Sequence, residues 1–221
     1  MQGNAGLSDV TEIGSARFVS GGNDENGTFT LMVLAPGASR INLALPDGQR
    51  NEIHNLSANP FVGSWTGPDG MSHPIAYHNL ISEPIWNCPL LAIGGLLSNP
   101  RSVTVYVGQE TRNGQTVQHF SAYQLLPGAS VDVLFQHLTQ VDVYLDSATL
   151  LPSVMSFNIH PDTNAGIDLP VEIDFSDYRT VNGTQFPFHI QKYLNGSLFL
   201  DLQASSVVLN SGVSPSVFLV Q

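Results

Sequence analysis

Asn-Gly, Asp-Gly and Gly-Gly pairs punctuate this chain from end to end: Gly21-Gly22, Asn26-Gly27, Asp47-Gly48, Asp69-Gly70, Asn113-Gly114, Asn182-Gly183 and Asn195-Gly196. A two-residue type I′ turn needs positive φ at both central positions, which glycine reaches freely and Asn or Asp tolerates. Between these pairs lie short alternating segments: TFTLMVLA (28–35), SRINLALP (39–46), SVTVYVGQ (102–109), TVQHFSAYQL (116–125), VDVYLD (141–146) and SVMSFNIH (153–160). All read as strands, joined as antiparallel hairpins. In FSDYRTVNGTQFPFHIQKYLNGSLFLDL (175–202) two such turns fall close together. Phe186, Phe188 and Ile190 share one face of the middle segment and Pro187, His189 and Gln191 the other; Leu198, Leu200 and Leu202 continue an apolar face after the second turn. The stretch predicts a three-stranded meander with an oily side to cover.

Two regions break the β pattern. Residues 79–100 (NLISEPIWNCPLLAIGGLLSNP) are too long and too continuously apolar for one strand. Pro84 and Pro89 suit first-turn helix positions, and Gly94-Gly95 and Pro100 read as punctuation, so one or two short helices are expected. At the N-terminus, Leu7, Val10 and Ile13 recur every three residues, which predicts the tail of a truncated helix within 1–16. Signals conflict over SVDVLFQHLTQ (130–140), which is read as strand. No repeat, charged tail or composition shift marks a boundary, so residues 1–221 are read as one domain. The fold class expected is α+β, a long antiparallel sheet with a few apolar helices on one face.

Charge narrows the function. Acidic residues outnumber basic ones 18 to 7, Lys192 is the sole lysine, and the net charge is −11. That balance repels phosphate backbones, so no nucleic-acid partner is expected. Charged residues are 11% and hydrophobic ones 42%, a composition that can bury a real core. No apolar run of about eighteen residues predicts a transmembrane helix, and MQGNAGLSDVTEIG lacks the basic start and apolar stretch of a signal peptide.

Chemistry-bearing motifs are sparse. Cys88 is alone in an apolar context, so no disulfide framework exists and a small buried hydrophobe is expected. The closest histidine pair, His73 and His78, would point to opposite faces of a strand; with no His-Glu helix motif and no second cysteine, no metal site is expected. There is no Gly-x-Ser-x-Gly elbow and no phosphate-cradling loop. Asp142 with Asp146, and Asp174 with Asp177, read as solvated strand faces rather than paired catalytic carboxylates. No catalytic residue and no cofactor is assigned. What remains is an aromatic and aliphatic surplus, and a curved sheet with too few helices to fill its oily face tends to leave a pocket.

The C-terminal part also carries a resemblance. VDVYLDSATLLPSVMSF (141–157), IDFSDYRTVNGTQFPFHIQKYLNG (173–196) and VVLNSGVSPSVF (207–218) together resemble the lipoprotein-carrier superfamily, the LolA/LolB-like outer-membrane lipoprotein-sorting proteins. The resemblance implies a curved antiparallel half-barrel wrapped over a few short helices, with an apolar cavity that takes acyl chains. It further implies export to the periplasm or beyond, and a lipid-like ligand or a lipoprotein or envelope protein as partner. Trp86, Leu90, Leu91 and Leu97 from the helical segment, with Phe186 and Phe188 from the sheet, are the candidate cavity residues. Arg40 is a candidate interior arginine of the family type. A binding or carrier protein is the leading expectation; a structural or protein-interaction domain with a filled core, and more distantly a hydrolase, stand as alternatives.

Overall fold

The structure, a computed structural model, describes residues 6–126 and 133–220. A single 13-stranded antiparallel sheet dominates it. The first six strands are β1 (Asp9–Ser20), β2 (Asn23–Leu34), β3 (Ala38–Leu45), β4 (Gly48–Asn55), β5 (Val62–Thr66) and β6 (Ser72–Pro74). After the helices α1 (Tyr77–Ser82) and α2 (Pro89–Ser98) come β7 (Ser102–Arg112) and β8 (Gln115–Gln124), then helix α3 (Val133–Leu138). The chain closes with β9 (Val141–Asp146), β10 (Pro152–Ile159), β11 (Leu169–Val181), β12 (Thr184–Leu194), β13 (Ser197–Leu209) and a 3₁₀ turn at Pro215–Phe218.

The strand order runs β6-β5-β4-β3-β2-β1-β13-β12-β11-β10-β9-β8-β7. Sequence neighbours are therefore spatial neighbours, β6 and β7 excepted, and β1 and β13 zip two meanders together in the middle. β6 and β7 lie at opposite edges, so the segment joining them has to cross the sheet. It crosses the oily face. Ile85, Trp86, Cys88 and Ala92 pack in one buried cluster with Phe18, Leu31, Leu43, Phe157, Ile173, Phe186, Phe188, Ile190 and Leu202. Register shifts at Ile13/Gly14, Tyr106/Gly108, Pro152/Val154 and Lys192/Tyr193 add local bend and twist to the long strands. The product is an open half-barrel holding a short helical segment.

The turn chemistry works as the residues require at Asn113-Gly114, Asn182-Gly183 and Asn195-Gly196, where both residues of each pair have positive φ. Asn26-Gly27 makes no turn. It lies inside β2, paired with Arg17 and Ala16, and the reversal is made upstream by Gly21-Gly22. Gly27 answers a different need: a Cβ there would stand 2.0 Å from the Ala44 carbonyl oxygen.

Three expectations are corrected. Residues 9–16 belong to β1 rather than a helix: Val10, Glu12, Ala16 and Phe18 are buried in a two-residue alternation and Ile13 is exposed, so Val10 and Ile13, three apart, lie on opposite faces of the strand. Over 130–140, residues 133–138 are helical, not strand, and the start of that segment lies outside the described residues. Arg40 is not interior to the half-barrel: Ile41, Leu43 and Leu45 face the core, while Arg40 donates from Nη1 to the Val217 carbonyl on the opposite face. There it ties down the C-terminal turn, whose Phe218 packs against Ala38 and Ile53.

Within β1, Glu12 lies on the same inward face as Val10, only 1% exposed, with its Oε1 unpartnered among the described residues. Burial raises its pKa well above the ordinary 4.5. An acid whose folded pKa is raised makes the folded state bind the extra proton, so stability falls as pH rises from about 4.5 towards the shifted value. Glu12→Gln should remove that slope and gain about 1–3 kcal/mol at neutral pH, measured by urea unfolding at pH 5 and pH 8. An unchanged pH profile would show that the carboxyl is solvated or paired.

Candidate ligand-binding cavities

Two cavities flank the crossing segment. The larger, about 680 Å³, lies beside the first part of α2. Leu7, Pro89, Leu90, Ile93, Tyr178 and Leu209 line it, and the turn residues Leu150 and Asn182 stand at its rim. The local reason is plain. Pro89 occupies the first turn of α2, where its missing N–H costs nothing, and Leu90 and Ile93 follow on one side of the helix. Tyr178 keeps its ring towards the cavity while its hydroxyl donates to the Pro152 carbonyl at 2.6 Å, so the wall carries no free phenol.

The smaller cavity, about 360 Å³, lies on the other flank, between the crossing segment and the β1–β5 and β12–β13 walls. Phe18, Ile41, Leu43, Trp65, Trp86 and Phe199 supply its apolar lining. Its floor is polar. Lys192 Nζ donates to Glu83 Oε1 at 2.7 Å and sits 4.5 Å from the Trp86 ring centroid. His54 Nε2 lies 3.1 Å from Glu52 Oε1 and 3.8 Å from Glu83 Oε2. The sole lysine of the chain is thus enclosed at the meeting point of sheet and insert.

The electrostatics of that group follow from enclosure against pairing. Desolvation pushes the Glu52 carboxyl up, but the Lys192 charge and the His54 hydrogen bond outweigh it and hold the value at about 2. For His54, desolvation disfavours the cation; the Glu52 hydrogen bond and the two carboxylate charges overcome it and raise the pKa. The Glu52 side chain keeps 34% of its surface in solvent, so its share of the burial cost is well below that of Glu83 or Lys192, at 8% each.

The six residues singled out from sequence go to four different places. Trp86 lines the smaller cavity and Leu90 the larger. Leu91 is partly buried against the core, and Phe186 and Phe188 are inside it beneath the insert, lining neither cavity. Leu97, expected in the lining, is 72% exposed. Cys88 is fully buried at the start of α2, and desolvation raises its thiol to about 12, which leaves it unreactive as a nucleophile. Sequence reading missed Tyr178 and Leu209 on one side, and the Glu52–His54–Glu83–Lys192 group on the other. The signal available for the second was the single lysine, set in an apolar alternating strand.

No family model and no curated protein sequence matches the chain. Solved structures do, over nearly its whole length. An outer-membrane lipoprotein-sorting protein domain from Vibrio parahaemolyticus superposes with a TM-score of 0.57 at 13% identity, covering 96% of this chain and 90% of that one. A LolA-superfamily protein from Nitrosomonas europaea gives 0.56 at 10% identity, with 96% and 90% covered. The fold is the LolA fold. A DUF1329-family protein from Desulfovibrio piger shares it at a TM-score of 0.59 and 11% identity, with 97% and 90% covered. Within this LolA fold, the segments whose sequence carried the resemblance are the β9–β10 hairpin, the β11–β12 hairpin, and the end of β13 with the 3₁₀ turn. No helix among the described residues is long and apolar enough to cross a membrane.

Proposed function

We propose that the protein is a non-enzymatic, extracytoplasmic carrier that holds the apolar part of a lipid-like ligand between its curved sheet and the crossing helix α2. The observation that supports this most directly is the cavity of about 680 Å³ bounded by Leu7, Leu90, Ile93 and Tyr178. Its volume falls in the range of small-molecule sites, and each methylene it takes from water contributes roughly 0.8 kcal/mol. Lipoprotein sorting, named for one structure of this fold, is consistent with an apolar cargo. Periplasmic location belongs to the same reading.

Uptake of a fluorescent fatty acid by gently purified protein tests it, together with native mass spectrometry for co-purifying lipid. Leu90→Trp should fill the larger cavity and lower uptake at least several-fold, while Leu97→Ser, on an exposed side chain, should leave it intact. Saturable uptake that Leu90→Trp does not change would remove the cavity from the proposal.

A protein-interaction role is the second reading, and edge strand β7 favours it. Val105, Tyr106 and Val107 are each about half exposed there, and the outer edge of β7 pairs with no strand among the described residues. An edge of this kind can accept an added strand. Absence of any uptake, with no lipid in the native spectrum, would move the assignment to this reading.

A further inference from the structure

The histidines that looked scattered in sequence converge at one end of the sheet, away from both cavities. His160 directly follows β10, Asp168 directly precedes β11, His137 projects from α3, and His78 sits in α1. His137 Nε2 is 2.9 Å from Asp168 Oδ1, and His160 Nε2 is 3.3 Å from the same oxygen. One ligand atom from each of His137, His160 and Asp168 can be chosen so that all lie within 4.8 Å of one another. His78 packs edge-on against the His160 ring at 5.9 Å between centroids, and its own Nε2 is 3.2 Å from the Pro161 carbonyl.

The decisive residue is His160. Its side chain is entirely buried, and neither ring nitrogen has a hydrogen-bond partner among the described residues. Leaving both nitrogens of a buried imidazole unpaired is costly, and native proteins rarely do so without a reason. The ring has not arrived there by looseness. Asn79 clamps the backbone on both sides, donating from Nδ2 to the His160 carbonyl at 2.7 Å and accepting from the His160 N–H at 2.8 Å. The 3.3 Å approach to Asp168 is off the line of a hydrogen bond, since the pair meets the distance but leaves the nitrogen unpartnered. Two ligands that each stand about 2.0–2.1 Å from a tetrahedral ion are themselves roughly 3.3–3.4 Å apart and aim at the ion rather than at each other.

We propose that His137, His160 and Asp168 bind a divalent transition-metal ion of the zinc class, with a water in the remaining position. Two imidazoles and one carboxylate suit a borderline ion and are a poor match for calcium or magnesium, which take oxygen ligands. His137 and Asp168 are partly exposed, giving the ion a path in, while His160 forms the buried wall. The bound ion ties α3 to the 160–168 loop, two elements that otherwise meet at the surface through His137 and Asp168. The other compact group of potential ligands among the described residues, Glu52, His54 and Glu83, already holds a cation: the Lys192 ammonium lies 2.7 Å from Glu83.

Tag-free, chelator-treated full-length protein titrated with Zn²⁺ in a calorimeter tests the proposal, with Co²⁺ as a spectroscopic probe. Saturation at one ion per chain is expected, with a rise in melting temperature and a visible Co²⁺ absorption of low coordination number; Mg²⁺ and Ca²⁺ should do none of this. His137→Gln and Asp168→Asn, both at exposed positions where folding is preserved, should each weaken Zn²⁺ binding by about tenfold or more. His54→Gln should leave it unchanged. Absence of saturable Zn²⁺ binding, binding indifferent to His137→Gln, or binding abolished by His54→Gln instead would each overturn the assignment.

Discussion

Replacing Lys192 with methionine should destabilise the protein by about 3–5 kcal/mol, the cost of stranding a buried charge. Glu83 loses its 2.7 Å partner while its side chain, 8% exposed, remains out of water. For a chain of this size that corresponds to a fall in melting temperature of roughly 6–20 °C. The double variant Lys192→Met, Glu83→Gln should recover most of the loss, because removing both charges together leaves nothing to solvate. Denaturant unfolding of the two variants beside the parent reads this directly, and a single variant within about 1 kcal/mol of the parent, a margin typical of exposed pairs, would show the pair to be water-screened.

The same group sets two limbs of the pH profile. Glu52, held at about 2, adds stability above its ordinary 4.5 that is lost as pH falls from there towards 2. His54 has a raised pKa, so its contribution is complete below the ordinary 6.5 and disappears as pH climbs through the raised value. Desolvation works to raise Glu52, and the charge of the Lys192 ammonium is the largest single interaction that holds it down. Lys192→Met should therefore shift the acid limb to higher pH. An acid limb unmoved by that substitution would assign it to other carboxylates.

Trp86→Ala should be of similar size, about 3–5 kcal/mol for truncating a buried aromatic side chain. Trp86 is 4% exposed, packs in the main core and covers the Lys192 ammonium. Its removal therefore opens the polar floor to water as well as leaving a void beside Phe18 and Leu43. The void joins the smaller cavity, so an apolar ligand that enters it should return part of the lost stability in proportion to its concentration. Thermal unfolding with increasing fatty acid checks this. Parent-like stability without ligand would place the indole outside the core.

How much of this could be read from residues alone depended on the range of the interaction. The turns at Asn113, Asn182 and Asn195 are local, set by the φ that Asn-Gly adopts, and strand pairing followed from them. Asn26-Gly27 misled because the same glycine property serves close backbone approach to Ala44, which only the β2–β3 pairing reveals. The 133–138 helix and the first strand differ from their sequence reading for related reasons: four apolar residues within six positions fit either period, and Val10 and Ile13, three apart, imitate one face of a helix while lying on opposite faces of β1. Trp86 and Leu90 were legible as apolar residues on the crossing segment; which of their neighbours reached solvent was not, since that depends on helix rotation, and Leu97 turned outward. The charged floor and the histidine group assemble from strands, helices and loops far apart in sequence, so no spacing rule could have found them.

The β1–β13 ladder has a consequence for how this protein comes into being. Val10 pairs with Leu209 and Phe18 with Leu200, so the central seam of the sheet cannot form until residues 200–209 have been made and meet β1. Until then two half-built sheets each display a long raw border. Closing so large a loop is slow, and nascent chains in that condition are prone to stick to one another. Such a molecule has reason to depend on assistance during its biogenesis, and to tolerate poorly any truncation that removes its final strand.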